Sequence, residues 1–260
     1  AYAAKEAGAK LEPYSYDPGA LGEHEVEVKI SACGVCHSDL SMINNDWGFG
    51  QYPMVPGHEA IGEISEVGSA VKNLKVGQTV GVGWNAESCM HCSPCLAGTQ
   101  QRCETLALQF ARAWGCEVTA FTTSMDKEDE LKELGAHHVA NSKDSDAMKN
   151  LKGKFDFILS TVNVNLDWPS YLATLRSNGR LITVGAVDKP MGIPAFSLIS
   201  GGKSVGGSDT GSPDRVAKML EFCTRHDIKP MVEYFPMEKV NEALERLESG
   251  KARYRIVLTN

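Results

Sequence analysis

The chain has 260 residues, 42% hydrophobic and 23% charged, with a formal net charge of −7 and a pI near 5.5. Those proportions suit an ordinary soluble globular protein of one large or two modest domains. Scattered Lys and Arg argue against nucleic acid or an anionic membrane surface as the main partner.

No apolar run approaches the roughly 20 residues that span a bilayer, and Ala1 to Lys10 carries Lys5, Glu6 and Lys10 where a secretory leader needs an apolar stretch. The first residue is Ala, which reads as a processed or incomplete start.

Residues 1–105 are predicted to be β-rich. Glu23 to Ile30 alternates polar and apolar residues, the pattern of a half-buried strand. Ala60 to Val67 and Thr79 to Val82 are further strands, punctuated by glycines, and together they predict a small barrel or sandwich. After Thr105 the character changes. Ala107, Phe110, Ala111 and Trp114 mark a helical face that Gly115 ends, and Cys116 to Thr122 reads as a strand. Asp126 to Leu134 is a charged helix with Ser124 as candidate cap and Gly135 beyond its end. His138 to Ala140, Phe155 to Thr161 and Gly179 to Val184 are strands, and Trp168 to Leu175 is a helix. Such alternation implies a parallel sheet covered by helices. A helix over Val240 to Leu247 and a strand over Tyr254 to Leu258 complete the chain.

Four of the eight cysteines, Cys89, Cys92, Cys95 and Cys103, follow C-x2-C-x2-C-x7-C. Thiolates held this close repel one another unless a cation gathers them, so the spacing predicts a structural zinc in a reducing cytoplasm. An iron–sulfur cluster is the rival, because C-x2-C-x2-C also opens ferredoxin-type runs. The longer last interval and the lack of Pro after Cys103 favour zinc. Upstream, Cys33-Gly34-Val35-Cys36-His37-Ser38-Asp39 and Gly57-His58-Glu59 bring together the thiolate, imidazole and carboxylate of an open catalytic zinc site.

GVCHSD, PGHEAIG and CMHCSPCLAGTQQRC, continued by VNVNLDW, VGAV, SDTGS and KARYRIVL, resemble the zinc-containing medium-chain alcohol dehydrogenases, closest to the cinnamyl-alcohol-dehydrogenase-like branch. The resemblance implies an α/β plus β protein. A GroES-like catalytic domain over 1–105 would carry the structural zinc lobe, a Rossmann-type doubly wound domain would occupy 106–232, and 233–260 would return to the catalytic domain. It implies Cys36 and His58 as catalytic zinc ligands, with Glu59 adjacent and able to coordinate the zinc in the resting state, and Cys33 a packed thiol. Asp39 would fix the His58 tautomer, or else cap a loop. Ser38 would begin the proton path, and Ser41 stands where the family often has a histidine. The implied reaction is hydride transfer between a primary alcohol and a nicotinamide, with zinc as Lewis acid.

On the cofactor side, the resemblance places His37 near the pyrophosphate. Thr161, Val184, Gly185, Ala186, Ser208, Asp209 and Thr210 would lie around the nicotinamide. Arg255 would reach the pyrophosphate or stand as a surface charge. Thr122, Thr123 and Ser124, with Lys127, occupy the position where NAD sites place an acid, so NADP is expected. Ser124 alternatively just caps the next helix. Trp47 and Phe49 are candidates for an apolar pocket or for packing. Family members commonly pair through the Rossmann sheet, which implies a homodimer.

One part is missing. The family's first Rossmann strand, its G-x-G-x-x-G turn and a further catalytic cysteine precede the helix that LALQFARAW resembles, yet here that helix follows Cys103 almost at once. Either the natural chain contains a stretch near Thr105 that this sequence leaves out, or the chain is truly shortened. A shortened chain would be an inactive zinc-binding fragment or pseudoenzyme. An intact mass near 28.1 kDa separates the two.

Overall fold

The computed structural model describes residues 1–84, 106–185, 187, 189–208, 211–253 and 255–260. The four-cysteine lobe, Ala186, Asp209 and Thr210 lie outside the described residues. The first part of the chain contains β1 (Tyr2–Ala3), β2 (Glu12–Pro13), β3 (Val26–Val35), α1 (His37–Asn44), β4 (Ala60–Val67) and β5 (Thr79–Val82). Next come α2 (Leu106–Ala113), β6 (Thr119–Thr122), α3 (Glu128–Glu133), β7 (His138–Asn141), α4 (Ser145–Asn150) and β8 (Phe155–Ser160). Then follow α5 (Trp168–Thr174), β9 (Leu175–Thr183), α6 (Ala195–Ile199), β10 (Ser204–Gly207) and α7 (Pro213–His226). The chain closes with β11 (Val232–Pro236), α8 (Val240–Glu248) and β12 (Arg255–Thr259).

Two compact units divide the described residues: 1–84 with Pro230–Asn260, and 106–229. The expected return at 233 begins earlier. Val232 pairs in register with Arg255 in the parallel β11–β12 ladder, which draws all of β11 into the first unit.

That unit is built on one sheet of order β11-β12-β3-β4-β5. On β12 the residues Ile256 and Leu258 are buried at every second position, as one face of a pleated strand requires. They join Val35 from β3, Leu40 and Ile43 from α1, and Val240, Ala243 and Leu244 from α8 in one apolar cluster. The side-chain amide of Asn241 holds the Leu11 backbone on both sides: Oδ1 accepts from Leu11 N at 2.9 Å and Nδ2 donates to Leu11 O at 2.9 Å. β3 runs five residues beyond the predicted end at Ile30 and carries Cys33, Gly34 and Val35 to the threshold of α1.

The second unit is parallel throughout, as alternation predicts, but its sheet is in two pieces: β6-β7 and β10-β9-β8. The order explains the break. In a doubly wound 3-2-1-4-5-6 sheet the first strand lies between the second and the fourth. With β6 and β7 as second and third, and β8, β9 and β10 as fourth to sixth, the break falls where the first strand belongs. Among the described residues no strand joins β6 to β8. Side chains still connect the pieces: the Phe121 ring on β6 meets Phe155 on β8 at 5.6 Å and Tyr171 on α5 at 5.1 Å. These rings border a core of Met148, Ile158, Trp168, Tyr171, Leu172, Leu175 and Leu181.

Candidate active site

Strand register assembles the site. Cys33 on β3 is directly opposite Ala60 on β4, so the residue after β3 (Cys36) and those before β4 (His58 and Glu59) meet at one end of the sheet. The ligand atoms of Cys36, His58 and Glu59 lie within 4.8 Å of one another, the only such group among the described residues. Cys33 remains outside it, its thiol pushed up by burial.

Asp39 organises this corner. It is 5% exposed, and its Oδ2 accepts from Cys36 N at 2.9 Å while Oδ1 accepts from Gly57 N at 3.0 Å. The same Oδ1 lies 3.0 Å from His58 Nδ1. One carboxylate therefore caps the turn into α1, anchors the loop before His58 and orients the imidazole. The contacts that the two alternative readings of Asp39 call for, with the backbone of the turn and with the imidazole, are both present. Gly57 sits at φ +118°, a conformation side chains rarely adopt, and this turns His58 and Glu59 toward Cys36.

With Nδ1 committed to Asp39, His58 directs Nε2 toward Glu59 Oε1, 3.9 Å away. Burial works against charge on the imidazole, but the bond to Asp39 and the contact with Cys36 outweigh it and raise its pKa to about 10. Burial likewise pushes the Cys36 thiol up, and His58, Ser38 and the charge of Arg255 together bring it below the usual range. Ser38 Oγ lies 3.6 Å from Cys36 Sγ.

Arg255 is in the first unit at the start of β12, and its Nη2 donates to Glu59 Oε1. The sequence offered a pyrophosphate contact or a surface charge; the structure gives this guanidinium a carboxylate partner, Glu59, in the Cys36–His58–Glu59 corner. His37 opens α1 immediately after Cys36.

Sequence reasoning missed Trp84. Its ring stands edge-on to His58 at 4.9 Å and to Trp47 at 6.2 Å, and Trp47 stacks on Phe49 at 5.8 Å. All three aromatics are substantially exposed, so a partly open apolar row leads away from His58. Its position just after β5 and just before the cysteine lobe was the available signal.

In the second unit the expected cofactor residues sit at strand ends. Thr161 follows β8, Val184 and Gly185 follow β9, and Ser208 follows β10; because the strands are parallel and in register, these share the carboxyl edge. Open α/β sheets bind ligands at that edge. Val184 N donates to Ser160 O at 2.9 Å and Ser208 N to Thr183 O at 3.1 Å, which fixes the row. Thr122 ends β6, and its Oγ1 accepts from Ser124 N at 3.2 Å. Ser124 makes no side-chain cap; its hydroxyl bonds Asp126, and a short 3-10 turn, Met125–Lys127, precedes α3. Thr123 and Lys127 lie on the same exposed stretch.

A β-rich domain carrying a compact Cys/His/carboxylate corner, with a parallel α/β unit beside it in sequence, defines an oxidoreductase of the alcohol dehydrogenase type. The alcohol dehydrogenase GroES-like domain matches residues 22–129, and the zinc-binding dehydrogenase domain matches 105–225. The chain is 42% identical to aldehyde reductase AdhA of Synechocystis sp., covering 100% of this chain and 98% of the relative. It is 32% identical to 8-hydroxygeraniol dehydrogenase of Catharanthus roseus, covering 99% and 93%. Among solved structures it resembles a cinnamyl alcohol dehydrogenase of Sorghum bicolor with a TM-score of 0.92 and 30% identity, covering 99% of this chain and 96% of that one. The chain belongs to the zinc-containing medium-chain alcohol dehydrogenases, in their cinnamyl-alcohol-dehydrogenase-like branch. The alignment with AdhA runs over 330 positions and covers all 260 residues here, so the relative carries internal positions that this chain lacks. Among the described residues no helix is long and apolar enough to cross a membrane.

Proposed function

We propose that this chain is a zinc-dependent alcohol dehydrogenase and aldehyde reductase that uses NADP(H) and acts on primary alcohols and aldehydes. The observation that carries the reading is the convergence of Cys36, His58 and Glu59 within 4.8 Å, with Asp39 on the far nitrogen of the imidazole. Thiolate, imidazole and carboxylate suit a zinc site with an open position, and an Asp-anchored Nδ1 leaves Nε2 for the ion. Zinc there would supply a Lewis acid toward the substrate oxygen, and the dinucleotide would take the hydride from an alcohol or give it to an aldehyde.

The remaining roles belong to the chain itself. Asp39 keeps the proton on Nδ1. Ser38, beside Cys36, is placed to take the alcohol proton and pass it outward. Trp84, Trp47 and Phe49 offer a row of exposed aromatic rings that favours alcohols carrying an unsaturated or aromatic group.

The NADP preference rests on Thr122, Thr123, Ser124 and Lys127, hydroxyls and a cation where a 2′-hydroxyl reader would have an acid. Asp126, which takes the Ser124 hydroxyl, opposes that preference. Elemental zinc and aldehyde-dependent NADPH oxidation test both parts on one sample. Zinc content unchanged by Cys36→Ser, or faster turnover with NADH, overturns the corresponding part.

A second reading, a zinc-binding protein without turnover, is favoured by the break between β6 and β8 and by a sequence lacking the glycine fingerprint. NADPH fluorescence titration discriminates. Saturable binding with turnover supports the enzyme, and zinc without nucleotide binding supports the alternative.

A further inference from the structure

Gly34 lies in the extended run of β3, opposite Val257 of β12, and its N–H donates to Glu59 O at 3.0 Å. Its backbone is not in the left-handed region, so other residues could adopt this conformation. What a side chain could not have is the space. A Cβ at Gly34 would overlap Glu59 Oε2 and stand 3.1 Å from Glu59 Cβ and 3.2 Å from Cδ. The Glu59 carboxylate thus lies in the volume left by the missing side chain. Its other oxygen is held by Arg255, on the strand that neighbours Gly34.

We propose that Gly34 is a positioning residue for the metal corner: its empty side-chain volume seats Glu59 beside Cys36 and His58, and Arg255 holds the carboxylate in that seat as the third protein donor. This rests on the zinc reading above. It adds that the third donor depends on a glycine two residues before Cys36. The overlapping atom belongs to the far end of a flexible side chain, so Gly34→Ala should fold and displace the carboxylate rather than disrupt β3.

The test is a double-mutant cycle read by metal binding. Apo full-length protein would be loaded with Co²⁺, taking the spectrum lost in Cys36→Ser as the signature of this site, and zinc affinity would be measured by chelator competition. Gly34→Ala should weaken zinc at the Cys36-dependent site by about 10- to 100-fold and alter the cobalt d–d envelope. Glu59→Ala should do the same, and Gly34→Ala added to Glu59→Ala should cost nothing further, because the displaced group is gone. Unchanged affinity in Gly34→Ala, or losses that multiply in the double variant, would overturn the assignment while leaving the zinc site intact. Absence of any Cys36-dependent cobalt spectrum in the unaltered protein would sink the zinc reading and this one together.

Discussion

The two units treat the same physical problem differently. In the first, a five-stranded sheet is paired continuously from β11 to β5, and helices α1 and α8 close one apolar cluster on it. In the second, among the described residues, no strand pairs β6 with β8, and aromatic rings bridge the two pieces. α2 and α7 there meet mainly through Phe110 and Phe222, with Trp114 67% exposed. A metal corner needs ligands fixed within a fraction of an ångström, which continuous pairing supplies. A dinucleotide edge needs a row of strand ends, and among the described residues that row comes from a sheet in two pieces.

Five measurements would break or sharpen this contrast. Cys36→Ser removes a donor from the intact unit and should lower aldehyde reduction by about 10³-fold, read as kcat/KM, since a Lewis acid contributes several kcal/mol. Comparable activity in the variant would remove the first unit from the chemistry.

Truncating the two cores comes next. Leu181→Ala and Ile256→Ala, both at 0% exposure, should each cost about 2–5 kcal/mol in denaturant unfolding. Native-state hydrogen exchange should then show β3 and β4 amides better protected than those of β6 and β7, a two-stranded piece. Equal protection would mean that the break carries no energetic consequence.

Asp39→Asn keeps the shape but weakens its hold on His58. Zinc affinity at the Cys36-dependent site should fall about 10- to 100-fold by chelator competition.

The smallest effect concerns Glu233, where β11 meets α8. The Arg246 guanidinium, with Arg253 N donating at 2.7 Å, holds its carboxyl below the usual range. A depressed carboxyl contributes stability above its unfolded pKa of about 4.3, and that contribution is lost as pH falls through the folded value. Glu233→Gln should therefore lower Tm slightly near neutrality and not at all in strong acid, measured by thermal scans at both.

Much of the site was legible in the sequence because its parts are local motifs. Cys36, Ser38 and Asp39 lie within four residues, His58 and Glu59 are adjacent, and a short-range pattern fixes which chemistry they offer. Strands β4 and β5 were legible residue for residue, because glycines punctuate these short runs. α1 and α7 were not. α1 is only eight residues long and begins on motif residues, which masks its buried Leu40 and Ile43, and α7 buries none of its residues.

The sequence by itself determined the Cys, His and carboxylate motifs, the family and the absence of a glycine fingerprint, since each is a matter of residue identity at short spacing. Only the tertiary structure decided what meets across strands. Arg255 reaches Glu59 over 196 positions, Trp84 turns its edge to His58, and the space at Gly34 is filled by the carboxylate of Glu59, just before β4. Those meetings depend on antiparallel register and on the direction of each side chain, which no spacing along the chain encodes.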